Sequence, residues 1–285
     1  MGERLVVLAG GVSSRMKKSI ALTDGIDTLL LKDVASKSML RLGNSNRPFL
    51  DYLLFNIREA GYSDIVIVIG SQDNSIREYY GNKDKGNKYN GLTISYAIQR
   101  IPSGRNKPLG TADALLMALR SRYDWTGKKF TVCNSDNIYS KSTLALLHKT
   151  PYENAMADYD RSFLQFSKDR IEKFAVTIKD DKNYLIDIIE KPSSMQVETI
   201  ENKTGMVGVS MNLFRFDYNR IFPFLERTPL HPERDEKELP ATVLKMIQEY
   251  PQTLYAHPVK EHVPDLTSMA DVSNVKKYLH AVFSE

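Results

Sequence analysis

Residues 5–16, LVVLAGGVSSRM, decide the fold. Residues 5–8 are uninterrupted apolar side chains and read as a strand buried on both faces. The run stops at Ala9-Gly10-Gly11, with Arg15 close behind. Glycines after a strand let the backbone turn tightly and approach a ligand with no side chain in the way. Their exposed N–H groups can bind phosphate oxygens, and Arg15 adds a planar, permanently charged fork for the same anion. Leu8, Gly10 and Gly11 are therefore expected beside a nucleotide, with Arg15 on its phosphates.

Outward from this loop, strand-like runs alternate with helix-like segments, the pattern of a parallel sheet covered by helices. Helical spacing predicts helices over 48–60, ended by Gly61, and over 111–122. Strands are expected at 65–69, 92–96 and 130–133. Beyond residue 150 the texture becomes strand-rich, with 174–178 and 184–189 joined by a hairpin-like turn and a further strand at 207–216. A helix at 238–250, a strand at 254–258 and a helix at 272–283 follow. The expected class is α/β, a Rossmann-like, mostly parallel sheet flanked by helices with a strand-rich insertion in the second half. No linker divides the 285 residues, so one domain is expected, with a nucleotide-binding half over 1–150 and a second half over 151–285.

The 39 basic and 35 acidic residues nearly balance, which argues against nucleic acid as a partner while suiting anionic substrates. The single cysteine, Cys133, excludes an internal disulfide framework and a cysteine-rich zinc site, and its apolar surroundings predict a core position. No apolar stretch approaches the ~20 residues of a membrane span. The first apolar run is too short for a signal peptide, so a cytoplasmic location away from membranes is expected.

Five further segments could carry chemistry. Lys37 offers a second cation near the phosphate loop, or is a solvated lysine. Gly110-Thr111-Ala112-Asp113-Ala114 opens a helix, a place for polar ligands or a routine cap. Asp136 follows the strand at 130–133, where ligands of open α/β sheets gather. A carboxylate there suits a hard cation such as Mg2+, or ends the strand in an Asx turn. Asp265 could be the second carboxylate, or part of a helix entry. Glu190-Lys191 sets an acid and a base beside Pro192, as a hydroxyl acceptor and phosphate partner or as an exposed ion pair. Asp158-Tyr159-Asp160 imitates a metal-binding Asp-x-Asp, but so short a pattern arises by chance, and Asp160-Arg161 is expected to be a loop ion pair.

In order, the segments at 8–16, Ser36-Lys37, Arg47-Pro48-Phe49-Leu50, 110–114, Ser135-Asp136-Asn137, Glu190-Lys191-Pro192 and Asp265-Leu266 resemble the sugar-phosphate nucleotidyltransferases, the family of glucose-1-phosphate thymidylyltransferases and mannose-1-phosphate guanylyltransferases. The resemblance implies transfer of a nucleoside monophosphate from a nucleoside triphosphate to a sugar 1-phosphate, with Mg2+ as cofactor and pyrophosphate as the second product. It implies that Gly10, Gly11 and Arg15 hold the triphosphate, that Lys37 bridges phosphates of both substrates, and that Asp113 faces the base, with Gly110 beside it. Asp136 and Asp265 would bind Mg2+, Glu190 and Lys191 the sugar and its phosphate, and Gly208 would line the sugar pocket. A homo-oligomer is compatible with it. Ser13 replaces a family glycine, and Ser36 replaces a proline, which should loosen Lys37. The loop at 8–16 also resembles that of molybdenum-cofactor guanylyltransferases, and a catalytically silent nucleotide-sugar-binding regulatory protein is the remaining alternative.

Overall fold

A computed structural model describes residues 2–11, 16, 36–43 and 46–283. Its frame is a mixed sheet that includes β1 (Glu3–Ala9), β2 (Tyr62–Gly70), β3 (Asn87–Tyr89), β4 (Leu92–Gln99), β5 (Lys129–Asn134), β6 (Asn154–Asp160), β9 (Gly208–Asp217) and β10 (Leu254–Val259). They lie in the order β10-β6-β9-β5-β1-β2-β4-β3. Strand β1 is parallel to both β2 and β5, and β2 to β4. The antiparallel β9 joins β5 to β6, so strands of the second half continue the sheet of the first. A hairpin of β7 (Val176–Lys179) and β8 (Leu185–Ile189) attaches to β9 through Val176 and Val209, which is the strand-rich insertion.

The burial of β1 shows why this sheet is covered twice. Leu5, Val7 and Ala9 join one core, while Val6 and Leu8 join the other. On the first face α1 (Phe49–Glu59) contributes Phe49, Leu50, Leu53, Leu54 and Ile57, the i, i+3, i+4 stripe expected of its spacing. Gly61, at φ 98°, ends it. On the second face α3 (Thr111–Ser121) presents Ala112, Leu115, Leu116 and Leu119. It is joined there by α7 (Tyr218–Arg227) and α8 (Leu239–Glu249). Cys133 is fully buried, and burial pushes its thiol pKa up, as suits a core residue.

Several elements carry no strong sequence signal: α2 (Ser75–Tyr80), β3, α4 (Lys141–His148), α5 (Lys168–Ile171), β6 and α6 (Ser194–Thr204), whereas α7 has an apolar stripe of Tyr218, Ile221, Phe224 and Leu225 that was not foreseen. Helix α6 buries none of its residues, so it has no apolar period to read. Chain order ends with α9 (Met269–Val282), whose start is fixed by a reciprocal cap between Ser268 and Asp271. Among the described residues no helix is long and apolar enough to cross a membrane.

Candidate functional site

Because β1, β2, β4 and β5 run parallel, Ala9, Gln99 and Asn134 all end at the same rim of the sheet. A cavity of about 400 Å3 opens there, lined by Leu8, Gly10, Gly11, Ser36, Lys37, Gln99, Lys107, Gly110, Asn134, Asp136, Asn212 and Glu236, among others. Six of the predicted residues, Leu8, Gly10, Gly11, Lys37, Gly110 and Asp136, thus share one crevice.

Each glycine has a distinct reason. A Cβ on Gly10 would stand 2.7 Å from Gln99 Oε1, whereas Gly11 is exposed with no atom within 4 Å of such a Cβ. Gly10 therefore admits the Gln99 amide, and Gly11 leaves the mouth open. Gly110 has φ 107°, and a Cβ there would lie 2.6 Å from Lys237 O. Only glycine lets the start of α3 meet the loop at 231–238 so closely. That loop is fastened to 105–112 by Ala112 N–H to Lys237 O at 2.9 Å and by Lys107 Nζ to Glu236 Oε1 at 2.9 Å.

Lys37 begins a short 3-10 turn, Lys37–Met39. Ser36 is tied into its start. Its hydroxyl is 2.8 Å from that of Ser38, its carbonyl accepts from Met39 N–H at 2.9 Å, and it is buried. From this turn the Lys37 ammonium donates to Asp136 Oδ2 across 99 residues of sequence. Arg15, with Ser13, lies outside the described residues.

Asp136 and Asp265 are brought side by side by their backbones. Leu266 N–H donates to Asp136 O at 2.8 Å, Ile138 N–H to Pro264 O at 3.0 Å, and Asn137 bridges Asp265 in antiparallel fashion. Burial pushes the Asp265 carboxyl up to about 6, and the neighbouring Asp136 charge adds to it. Two hard, mutually repelling carboxylates are a donor set that fits a divalent cation. Each also has a protein cation, Lys37 for Asp136 and Arg170 for Asp265 at 2.5 Å. The other Asp265 oxygen accepts from Thr267 Oγ1 at 2.8 Å.

The remaining predicted residues lie off this cavity. Asp113 is buried behind Gln99 and accepts its amide N–H at 2.9 Å, the same amide group that donates to Gly110 O at 2.9 Å. Gln99 is thus the group that meets the cavity, and Asp113 orients it. Glu190 pairs with Arg234 at 2.9 Å rather than with Lys191, which sits at φ 47°. Gly208 pairs with Asp160 at the sheet rim but faces a buried cluster. A Cβ on it would stand 2.2 and 2.4 Å from the Asp158 carboxylate oxygens and 2.4 Å from Thr177 Oγ1. Asp158 is fully buried, paired with Lys179 and hydrogen-bonded by Thr177 at 2.5 Å. Burial pushes its carboxyl pKa up against the pull of Lys179. The structure corrects the expectation that Asp160-Arg161 is a loop ion pair. Asp160 ends β6 and accepts from Ser162 N–H at 3.0 Å and Oγ at 2.7 Å, and Arg161 is not its partner.

Gln99, Asn212, Lys107, Glu236 and Arg170 were not foreseen. Gln99 ends β4, three residues past the alternation that marks the strand. Asn212 interrupts the apolar run of β9 at a bulge where the register with β6 shifts between Met156 and Asp158, has φ 55°, and lines the cavity. Arg170 lies in a segment without any periodic signal.

The family model described as nucleotidyl transferase matches residues 5–257. The chain is 23% identical to the bifunctional protein GlmU of Staphylococcus haemolyticus over 87% of its own length and 46% of that protein's. It is 24% identical to the D-glycero-alpha-D-manno-heptose 1-phosphate guanylyltransferase of Aneurinibacillus thermoaerophilus over 47% of its length and 46% of that protein's. The chain spans about half the length of the curated relatives it matches. Its fold is shared with a candidate glucose-1-phosphate thymidylyltransferase of Bacillus anthracis, solved with sucrose, at a TM-score of 0.67 and 15% identity, covering 98% of this chain and 96% of that one. It is equally shared with a UDP-glucose pyrophosphorylase solved with UDP-glucose, at TM-score 0.67 and 15% identity over 99% of both chains. With the glycine rim, Lys37 and Asp136 converging in one crevice, the match across residues 5–257 means that this chain belongs to the nucleotidyl transferase family.

Proposed function

We propose that this protein joins a nucleoside triphosphate to a sugar 1-phosphate, releasing pyrophosphate and a nucleotide sugar. The observation that carries the reading is the crevice itself, where Gly10, Gly11, Lys37, Asp136 and the Gly110 start of α3 face one space. A phosphate oxygen of the sugar 1-phosphate attacks the α-phosphorus, and the bond from that phosphorus to the oxygen bridging the β-phosphorus breaks. Two polyanions must approach each other, so positioning and charge neutralisation supply most of the catalysis. Lys37, which lines the same crevice as the glycine rim and is paired to a carboxylate, supplies fixed positive charge; Arg15 is proposed to add more. Asp136 and Asp265 would hold Mg2+, which when bound offers electrostatic stabilisation of the phosphates. Gln99, held by Asp113 and Gly110, is proposed to meet the base. Glu190, Lys191 and Gly208 are proposed on the sugar side, Gly208 through the Asp158 cluster behind it.

A matrix of pyrophosphate release over five nucleoside triphosphates and a panel of sugar 1-phosphates tests this. One combination should release pyrophosphate with matching nucleotide-sugar formation. Tight nucleotide binding with no release in any combination would replace the reading with a binding protein. The relative named as a heptose 1-phosphate guanylyltransferase and the fold neighbour named as a UDP-glucose pyrophosphorylase are the reason to include guanosine and uridine nucleotides first.

A further inference from the structure

Arg170, on the short helix α5, spans two carboxylates. Its Nη2 is 2.5 Å from Asp265 Oδ2, its Nη1 donates to Asp271 Oδ1, and its guanidinium lies 4.4 Å from the Phe166 ring centroid. Asp271 does not depend on Arg170 for its place. It is fixed by the cap of α9, accepting Thr267 N–H at 3.0 Å and Ser268 N–H at 2.7 Å. Arg170 therefore keeps one anchored partner even if Asp265 turns to another cation.

The charges around the carboxylate pair are nearly balanced. Asp136, Asp265 and Asp271 face Lys37 and Arg170, which leaves one negative charge for an incoming dication. Triphosphate oxygens would add the missing negative charge and shift the competition toward the metal. We propose that Arg170 is a built-in counter-charge for Asp265, which holds that carboxylate until a triphosphate arrives and makes the divalent ion enter with the nucleotide rather than ahead of it. The proposal rests on the reading of Asp136 and Asp265 as the metal carboxylates.

The test is titration of the full chain with Mn2+ alone, reading free Mn2+ by electron paramagnetic resonance, with no nucleotide. Arg170→Gln should tighten Mn2+ roughly tenfold, the repulsion between a unit charge and a dication across about 6 Å of water-like dielectric. Arg170→Lys keeps the charge and should stay near wild type. Asp271→Asn removes a negative charge and should weaken Mn2+, the opposite direction, which also serves if Arg170→Gln fails to fold. Asp136→Asn, added to Arg170→Gln, identifies the site by abolishing the tightened binding. Arg170→Gln binding no tighter than wild type, Arg170→Lys tightening as much as Arg170→Gln, or Asp271→Asn leaving the affinity unchanged overturns the proposal while the metal reading stands. Mn2+ binding indifferent to Asp136→Asn overturns the metal reading and the proposal with it.

Discussion

Replacing Gly208 by alanine separates two accounts of that residue. If Gly208 only lines a sugar pocket, alanine crowds the substrate and leaves the fold alone. The geometry says otherwise. The new methyl would overlap both Asp158 oxygens, at 2.2 and 2.4 Å, and Thr177 Oγ1 at 2.4 Å. Asp158 cannot swing away, because β6 is paired on both sides, by β10 and β9, and the carboxylate has no exposed surface. Alanine must therefore push Asp158 off Lys179 or lift β9 from β6. Disrupting a buried pair costs about 3–5 kcal/mol and overpacking about 1–3 kcal/mol, and partial relaxation makes about 3 kcal/mol a fair expectation. For a chain of this size that lowers Tm by roughly 5 °C. Urea unfolding followed by the fluorescence of Trp125, the single tryptophan and fully buried, reads it directly. Removing the obstructing carboxylate should recover part of the loss, so Gly208→Ala should cost at least about 1 kcal/mol less in an Asp158→Ala background. A Gly208→Ala protein that melts with wild type while its KM for sugar phosphate rises would refute the reasoning.

Two further outcomes can be checked alongside. Gln99→Ala should raise the KM for the nucleoside triphosphate about tenfold, the worth of one or two lost amide hydrogen bonds, and should also cost about 1–3 kcal/mol of stability, because the buried Asp113 carboxylate loses its donor; an unchanged KM removes Gln99 from the nucleotide site. His262, held down to about 4 by burial and by the Arg170 charge, lies below its ordinary 6.5, so the unfolded chain binds the extra proton between these values. Stability should therefore fall as pH drops from 6.5 toward 4, by about 1 kcal/mol once solvent access is allowed for. His262→Gln should lack this part of the decline, and an identical decline in both proteins contradicts the assignment.

Much of the fold could be read because β1, α1, β2, α3 and α8 bury regular apolar stripes. The reading failed where burial does not follow composition. Strand β6 carries two aspartates and still buries every residue, since Asp158 finds Lys179 on a hairpin 21 residues away. Helix α7 contains Pro223, a breaker in any local reading. For the site, the motifs supplied Gly10, Gly11, Lys37 and Asp136, each at the end of a strand or beside the glycine loop. Residues supplied by pairing geometry were hidden. Asn212 enters through a bulge, Gln99 through the end of β4, and Arg170 through an ion pair 95 residues distant in sequence.

The most direct test of the central claim is pyrophosphate release with the best nucleotide and sugar 1-phosphate, comparing wild type with Asp136→Ala. The account predicts Mg2+-dependent release matched by nucleotide sugar in the wild type, and a fall of ~10^2-fold or more in the variant, the loss expected of a key electrostatic group. Release by Asp136→Ala at close to the wild-type rate would contradict it.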